Sequence, residues 1–466
     1  MRQSLLRKTA LCLLTTLLLS FFAACSFLPF DDHTATEAAT DGSAAQTTTL
    51  ATLAPAETPV NLNGYTWSMR VRWSKKILPG SDESESAQRL RDIYAELEEL
   101  YHIDIIVGTF GSTEDYLATF ASGAKYADVI GIKGVEIPTL VAQQSIYSVE
   151  DPAILNAGLN CNDRTRFWPY ASSQMRYADK QWTLQISSRY DIPSAGYFVL
   201  CNGSLLDALG AGNLHNLLKT GKWTLEQYQR LATAAASLTK RENVYGTGLS
   251  SYRSAYHALG GLVVSADGRW KSELSAPTSV SAIERLSSLI SPDNHALIGP
   301  YESIRTAFLE DQLLFLWASA KTLISDSEFT ALPDLVVMPV PAIGQTRTTP
   351  LTDYTGYAFP AENPTLANSV AVFNALALRL NEDWLTQVAQ SARLDETETA
   401  MIATYVLPTL QASAEDYNQR LTSFFDESIA SPLVSRADRP EAILKSAEPI
   451  LAGILKELPA PTLGGR

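Results

Sequence analysis

Apolar positions recur with two different periods through residues 65–132. Tyr65, Trp67, Met69, Val71 and Trp73 alternate with polar residues, the period of a strand buried on one face. From residue 84 the spacing changes to three and four through Ala87, Leu90, Tyr94, Leu97 and Tyr101, which predicts an amphipathic helix over 84–101. Residues 103–109 predict a second strand. Ser112, with Asp115 three positions on, predicts the start of a helix that stops at Gly123, and 127–132 predict a third, short apolar strand. Strands alternating with helices imply right-handed crossovers and a parallel sheet, whose ligands sit beyond the carboxyl ends of the strands. Trp73, Phe110 and Asp128 are expected at or near such ends.

The second half repeats the logic. Thr224 and Gln227 open a helix carrying Tyr228, Leu231, Ala235 and Leu238 on one face, Ile283, Leu286 and Ile290 keep the same spacing, and 308–317 run into a strand. Residues 382–458 are helical by period. Between the halves, the apolar runs 181–186 and 197–201 flank the polar stretch 187–196, which contains Pro193 and Gly196. This stretch reads as a crossing between packed units, with Arg189 and Tyr190 facing a cleft. No internal repeat is visible.

Composition narrows the class. The chain has 466 residues, 46% of them hydrophobic, with a mean hydropathy of -0.02, as in a folded protein with large cores. A formal charge of -14 and a pI near 4.9 argue against nucleic acid, which needs clustered Lys and Arg. At the amino terminus Arg2, Arg7 and Lys8 precede an apolar run over 10–22, and Ala23 and Ala24 stand directly before Cys25. The run is short for a membrane span and reads as a signal segment. This region resembles the lipobox of bacterial lipoproteins, which implies cleavage before Cys25 and lipid on its thiol. Losing three cations and no acidic group with residues 1–24 would take -14 to -17. Residues 25–60, rich in Thr, Ala, Ser and Pro, read as a disordered tether with a reach on the order of 30 Å. Cys12 lies in the signal segment, and the sequence leaves open whether Cys161 and Cys201 pair.

The order of segments over about 65–380 is similar to extracellular solute-binding protein family 1, the receptors of carbohydrate-type ABC importers. The matching stretches are the helix 90–101 running into Ile103-Asp104-Ile105, Phe120-Ala121-Ser122-Gly123 ahead of Ala127-Asp128-Val129-Ile130, the run 196–202, Gly221-Lys222-Trp223-Thr224, and 336–341 ahead of Thr355-Gly356-Tyr357. The resemblance implies an α/β, two-lobed periplasmic-binding-protein-like fold, each lobe a mainly parallel sheet flanked by helices and joined by hinge strands. Residues 61–189 with 340–380 would form one lobe, and 190–339 with 381–466 the other. The chain would return to the first lobe at 334–340, cross again near Asn381, and pack its tail on the second lobe. It further implies a monomeric, membrane-anchored receptor on the outer face that hands a small solute to membrane permease subunits.

Sugars offer C–H faces to flat rings and hydroxyls to carboxylates, amides and guanidinium, so a sugar cleft mixes these groups. Candidates are Trp73, Phe110, Asp128, Arg189, Tyr190, Tyr252, Tyr256, Trp317, Asp353, Tyr354 and Tyr357. Each ring also has a core reading, Asp128 a capping one and Arg189 a surface one. Zinc-protease, nucleophile-elbow and phosphate-loop motifs are absent, and the five histidines are scattered, so neither catalysis nor a metal or cofactor is expected. Polyamine or peptide-like solutes, a sensing lipoprotein partnering a membrane kinase, and a surface glycan hydrolase stand as alternatives.

Overall fold

In this computed structural model the described residues are 60–458, apart from 79–83, 192, 239–242, 267–268, 352, 362, 384, 387–389 and 391–393. The signal segment, Cys25 and the tether as far as residue 59 lie outside them.

The two periods become the expected elements. Strand β1 (Tyr65–Val71) buries Trp67, Met69 and Val71, and helix α1 (Glu85–Tyr101) buries Ala87, Leu90, Ile93, Tyr94, Leu97 and Tyr101. The Ser84 hydroxyl caps α1 by accepting from the Ala87 N–H at 3.2 Å, and His102 ends it in the left-handed region at φ 50°. Strand β2 (Ile103–Thr109), helix α2 (Thr113–Ala121) and strand β3 (Val129–Lys133) follow. β1 lies between β2 and β3, parallel to both, with Tyr65 opposite Ile103 and Met69 opposite Val129.

The second sheet is built around β4 (Tyr197–Asn202), which is buried along its whole length and therefore reads as an unbroken apolar run. Helix α3 (Leu225–Ala236) leads to β5 (Tyr245–Leu249), followed by helix α4 (Tyr252–Ala258), helix α5 (Pro277–Leu289) and the short strand β6 (Ala296–Leu297). Strand β7 (Leu313–Ser319), helix α6 (Ala320–Ser325) and strand β8 (Leu335–Pro339) complete it. The spatial order is β6-β5-β7-β4-β8. β6, β5 and β7 are parallel, whereas β4 is antiparallel to both neighbours, so this sheet is mixed.

Strand β9 (Thr355–Ala358) returns to the first sheet, antiparallel to β3, and helix α7 (Leu366–Leu380) packs on α1. Residues 335–339 are thus a strand of the second sheet, and the return expected at 334–340 falls between Pro339 and Thr355. In the tail, α8 (Glu396–Met401) packs on β8, and α9 (Pro440–Glu457) on α5.

Three segments pass between the sheets and lie side by side. On the first, Leu184 exchanges backbone hydrogen bonds with Tyr357 at 2.9 and 2.7 Å, and the Gln185 amide donates to the Thr355 carbonyl at 2.7 Å. At the third, the Glu382 N–H donates to the Ser187 carbonyl at 2.7 Å. Where the first enters β4, Gly196 has φ +83°, and a Cβ there would stand 2.5 Å from both Leu410 and Thr349. Only glycine fits this backbone and this approach.

Candidate functional site: a cleft between the two sheets

The carboxyl ends of β3, β5 and β7 converge on a cavity of about 300 Å³, at the lower end of the range for small-molecule sites. The first sheet and its return segment supply Lys133, Gly134, Val135, Asp353, Tyr354 and Thr355. The second side supplies Arg253 at the start of α4, Lys321 in α6, and Asp416, Gln419 and Thr422 from the tail. Two other cavities, about 110 Å³ beside Tyr116 and Tyr126 and about 400 Å³ beside His215 and Tyr405, do not draw residues from both sheets.

Charge in the cleft is mixed. Arg253 donates to the Asp416 carboxylate at 2.7 Å, and the same carboxylate accepts from the Ser413 N–H at 2.8 Å. Lys133, Lys321 and Asp353 line the same cavity. Asp353 adopts φ 49°, a left-handed conformation that aspartate tolerates better than most residues. Tyr354 beside it is pinned through its hydroxyl to the Thr183 hydroxyl at 2.7 Å.

At the crossing beside the cavity, Asp191 is buried next to Trp73 and Tyr357. Burial pushes its carboxyl up to about 6, against the opposing pull of the Tyr357 hydroxyl, Lys321, Lys76 and the Trp73 indole. The Trp73 and Tyr357 rings meet edge to face with centroids 5.3 Å apart. Trp73 packs so closely over β3 that a Cβ at Gly131 would stand 2.8 Å from its ring.

The eleven sequence candidates therefore divide. Asp353 and Tyr354 line the cavity, Trp73 and Tyr357 surround Asp191, and the half-buried Tyr252 adjoins Arg253. Six others are corrected to structural positions. Phe110 is 1% exposed, in an aromatic cluster with Tyr116 and Tyr126. Tyr190 packs in the first core and donates to the Ser86 carbonyl at 2.8 Å. Tyr256 packs on Phe425 in the second core. Trp317 lies inside β7 and donates to the Tyr228 hydroxyl at 2.9 Å. Asp128 precedes β3 at its amino end, away from the cleft, where Lys125, Tyr65, Ser68 and Ser369 surround its buried carboxylate. Arg189 is an exposed cation paired with Glu382 at 2.9 Å. Sequence reasoning missed Lys133, Arg253, Lys321, Asp416 and Asp191. Cys161 and Cys201 are free thiols, and among the described residues no group of side chains could hold a metal ion.

No protein-family model matches the chain, and no curated protein sequence does. Solved structures do. A cyclic α-maltosyl-1,6-maltose binding protein from Arthrobacter globiformis aligns over 85% of this chain and 100% of its own, with 14% identity and a TM-score of 0.59. An ABC substrate-binding protein from Listeria monocytogenes in complex with cycloalternan aligns over 84% and 100%, with 14% identity and a TM-score of 0.57. UgpB from Mycobacterium tuberculosis in complex with glycerophosphocholine aligns over 84% and 98%, also at 14% identity and a TM-score of 0.57. This chain shares their two-lobed fold. At such identity the likeness concerns architecture, and the chemistry of the cleft has to be read from its own residues.

Proposed function

We propose that this protein is a solute-binding receptor of the family 1 type that captures a small hydroxylated solute, a mono- or oligosaccharide, between its lobes and passes it to an ABC permease. The reading is carried by the cavity of about 300 Å³ that both sheets line beside three adjacent crossing segments. That arrangement suits hinge closure, in which a solute touching both sides favours the closed state by its differential affinity for it. The neighbours described as sugar-binding proteins support the same ligand class.

The proposed lobes are 61–189 with 340–380 and 190–339 with 381–466, the second return running through 340–354. Proposed solute contacts are Trp73, Tyr252, Asp353, Tyr354 and Tyr357, joined by Lys133 and Lys321. Binding proceeds without covalent chemistry, cofactor or metal, in a monomer. The polyamine alternative loses support, because the Asp128 carboxylate is enclosed and ion-paired to Lys125 at 2.9 Å, and Lys133 and Lys321 line the cavity along with Asp353.

The test is a thermal-shift panel of maltose, maltotriose, cycloalternan and tagatose, with spermidine as the cationic control, followed by small-angle scattering. A saccharide at 100 times its Kd should stabilise the protein by about 2.7 kcal/mol and reduce the radius of gyration. Stabilisation by spermidine alone, or saccharide binding without compaction, would count against the reading.

We also propose lipid anchoring at Cys25 on the outer face of the membrane; among the described residues no helix is long and apolar enough to cross one. Cys25→Ala is expected to move the protein from the membrane fraction to the soluble one. Unchanged membrane retention would refute the anchor.

A further inference from the structure

Native folds rarely leave buried polar atoms without a partner, and those that remain unpaired call for water, an ion or a ligand. Here the Trp73 indole Nε1, the Tyr357 hydroxyl, the Ser187 hydroxyl and the Gln185 side-chain oxygen Oε1 are all buried without a hydrogen-bond partner. Tyr357 is fully buried and Asp191 is 9% exposed. The Trp73 N–H and Tyr357 O–H both approach the Asp191 carboxylate closely enough to favour its charge, yet neither completes a hydrogen bond. Lys321 lies within electrostatic reach of Asp191 and also lines the cleft cavity, which puts Asp191 beside that cavity.

The donors and acceptors select the occupant. It has to accept from the Trp73 N–H and the Tyr357 O–H and donate to the Asp191 carboxylate, which a hydroxyl does and a purely donating or purely accepting group does not. An ammonium would stand against Lys76 and Lys321, both of which already face Asp191. A carboxylate or phosphate would stand against Asp191 itself.

We infer that Asp191, Trp73 and Tyr357 form a recognition pocket at the inner end of the cleft for the vicinal hydroxyls of an uncharged solute, a polyol or the terminal ring of a neutral sugar. This rests on the receptor reading of the cleft and narrows it, since amino sugars, uronates and sugar phosphates are excluded at this end.

The experiment uses full-length protein with carboxyl-¹³C aspartate, the Asp191 resonance being assigned by its loss in Asp191→Asn. D-glucose, maltose and erythritol are titrated as neutral hydroxyl probes, and D-glucosamine and D-glucuronate as charged ones. At least one neutral probe is expected to shift the Asp191 resonance and to bind ten-fold or more weakly to Tyr357→Phe, which keeps the ring and removes only its hydroxyl. Trp73→Phe, lacking the N–H, is expected to behave alike if either variant fails to fold. A neutral probe that binds equally well to these variants and leaves the Asp191 resonance unmoved overturns the pocket while the receptor reading stands. Movement of that resonance by the charged probes alone overturns the neutral class. Binding of no probe overturns the pocket and the carbohydrate reading together.

Discussion

Asp191→Asn is expected to stabilise the unliganded protein by up to about 3 kcal/mol at pH 7 and to have no effect at pH 3. Burial raises the Asp191 carboxyl from 3.8 to about 6, and each pKa unit is worth about 1.4 kcal/mol of difference between the two protonation states. Because the folded-state pKa lies above the unfolded one, the contribution of this group to stability is fully present below pH 3.8 and is lost as pH rises through about 6. At neutral pH the wild-type protein thus holds a buried carboxylate at a cost, and asparagine removes it. His257 acts in the opposite direction: burial pushes its imidazole down to about 4, so its contribution falls as the medium is acidified from 6.5 to 4. Chemical denaturation of wild type and variant at pH 3, 5 and 7 separates the two, since the His257 contribution is common to both proteins. Equal stability at pH 7 would show that the carboxylate is not penalised. A variant more stable than wild type yet weaker in binding is the signature of a group retained for its ligand.

Most of the framework was legible because it is written in local periods. Ser84, Ser112 and Thr224 each cap the helix that the spacing announces, and the stretches 103–109, 127–132 and 197–201 give the strands Ile103–Thr109, Val129–Lys133 and Tyr197–Asn202. The site was less legible, for reasons that differ by residue. Lys133 ends β3 at its carboxyl edge, so the strand-end rule applied to this strand pointed to it rather than to Asp128, which stands at the other end. Tyr252 stands out by residue type, whereas its neighbour Arg253, which lines the cavity, carries no local signal in the sequence. Within 187–196, Arg189 and Tyr190 drew attention by side-chain type, yet one turns outward to Glu382 and the other into the first core, while Asp191 is the residue buried near the cleft. Tyr252 and Tyr256 belong to one short helix, and nothing local says that the second packs on Phe425, a residue of the tail. Asp416 likewise reaches Arg253 across more than 160 positions, a pairing that no spacing encodes.

The largest loss of stability at any of these positions is expected from Asp128→Ala, about 3–5 kcal/mol, with ligand affinity of the remaining folded protein unchanged. The Asp128 side chain is fully buried and joins three elements. It accepts from the Ser68 N–H of β1 at 2.7 Å and from the Ser68 hydroxyl at 3.2 Å, pairs with Lys125 at 2.9 Å, and also receives the Tyr65 and Ser369 hydroxyls, the latter from α7. Alanine leaves the Ser68 N–H and the Ser369 hydroxyl without their acceptor, at typically about 1–3 kcal/mol for each buried donor, while the exposed Lys125 regains water and adds little. Asp128→Asn, which keeps one acceptor oxygen and the volume but not the charge, should fall between wild type and alanine. Urea denaturation gives the stability, and calorimetric titration with the best saccharide from the panel gives the affinity. A ligand contact would reverse the pattern, with affinity falling ten-fold or more and the urea midpoint barely moving, and that outcome would return Asp128 to the cleft.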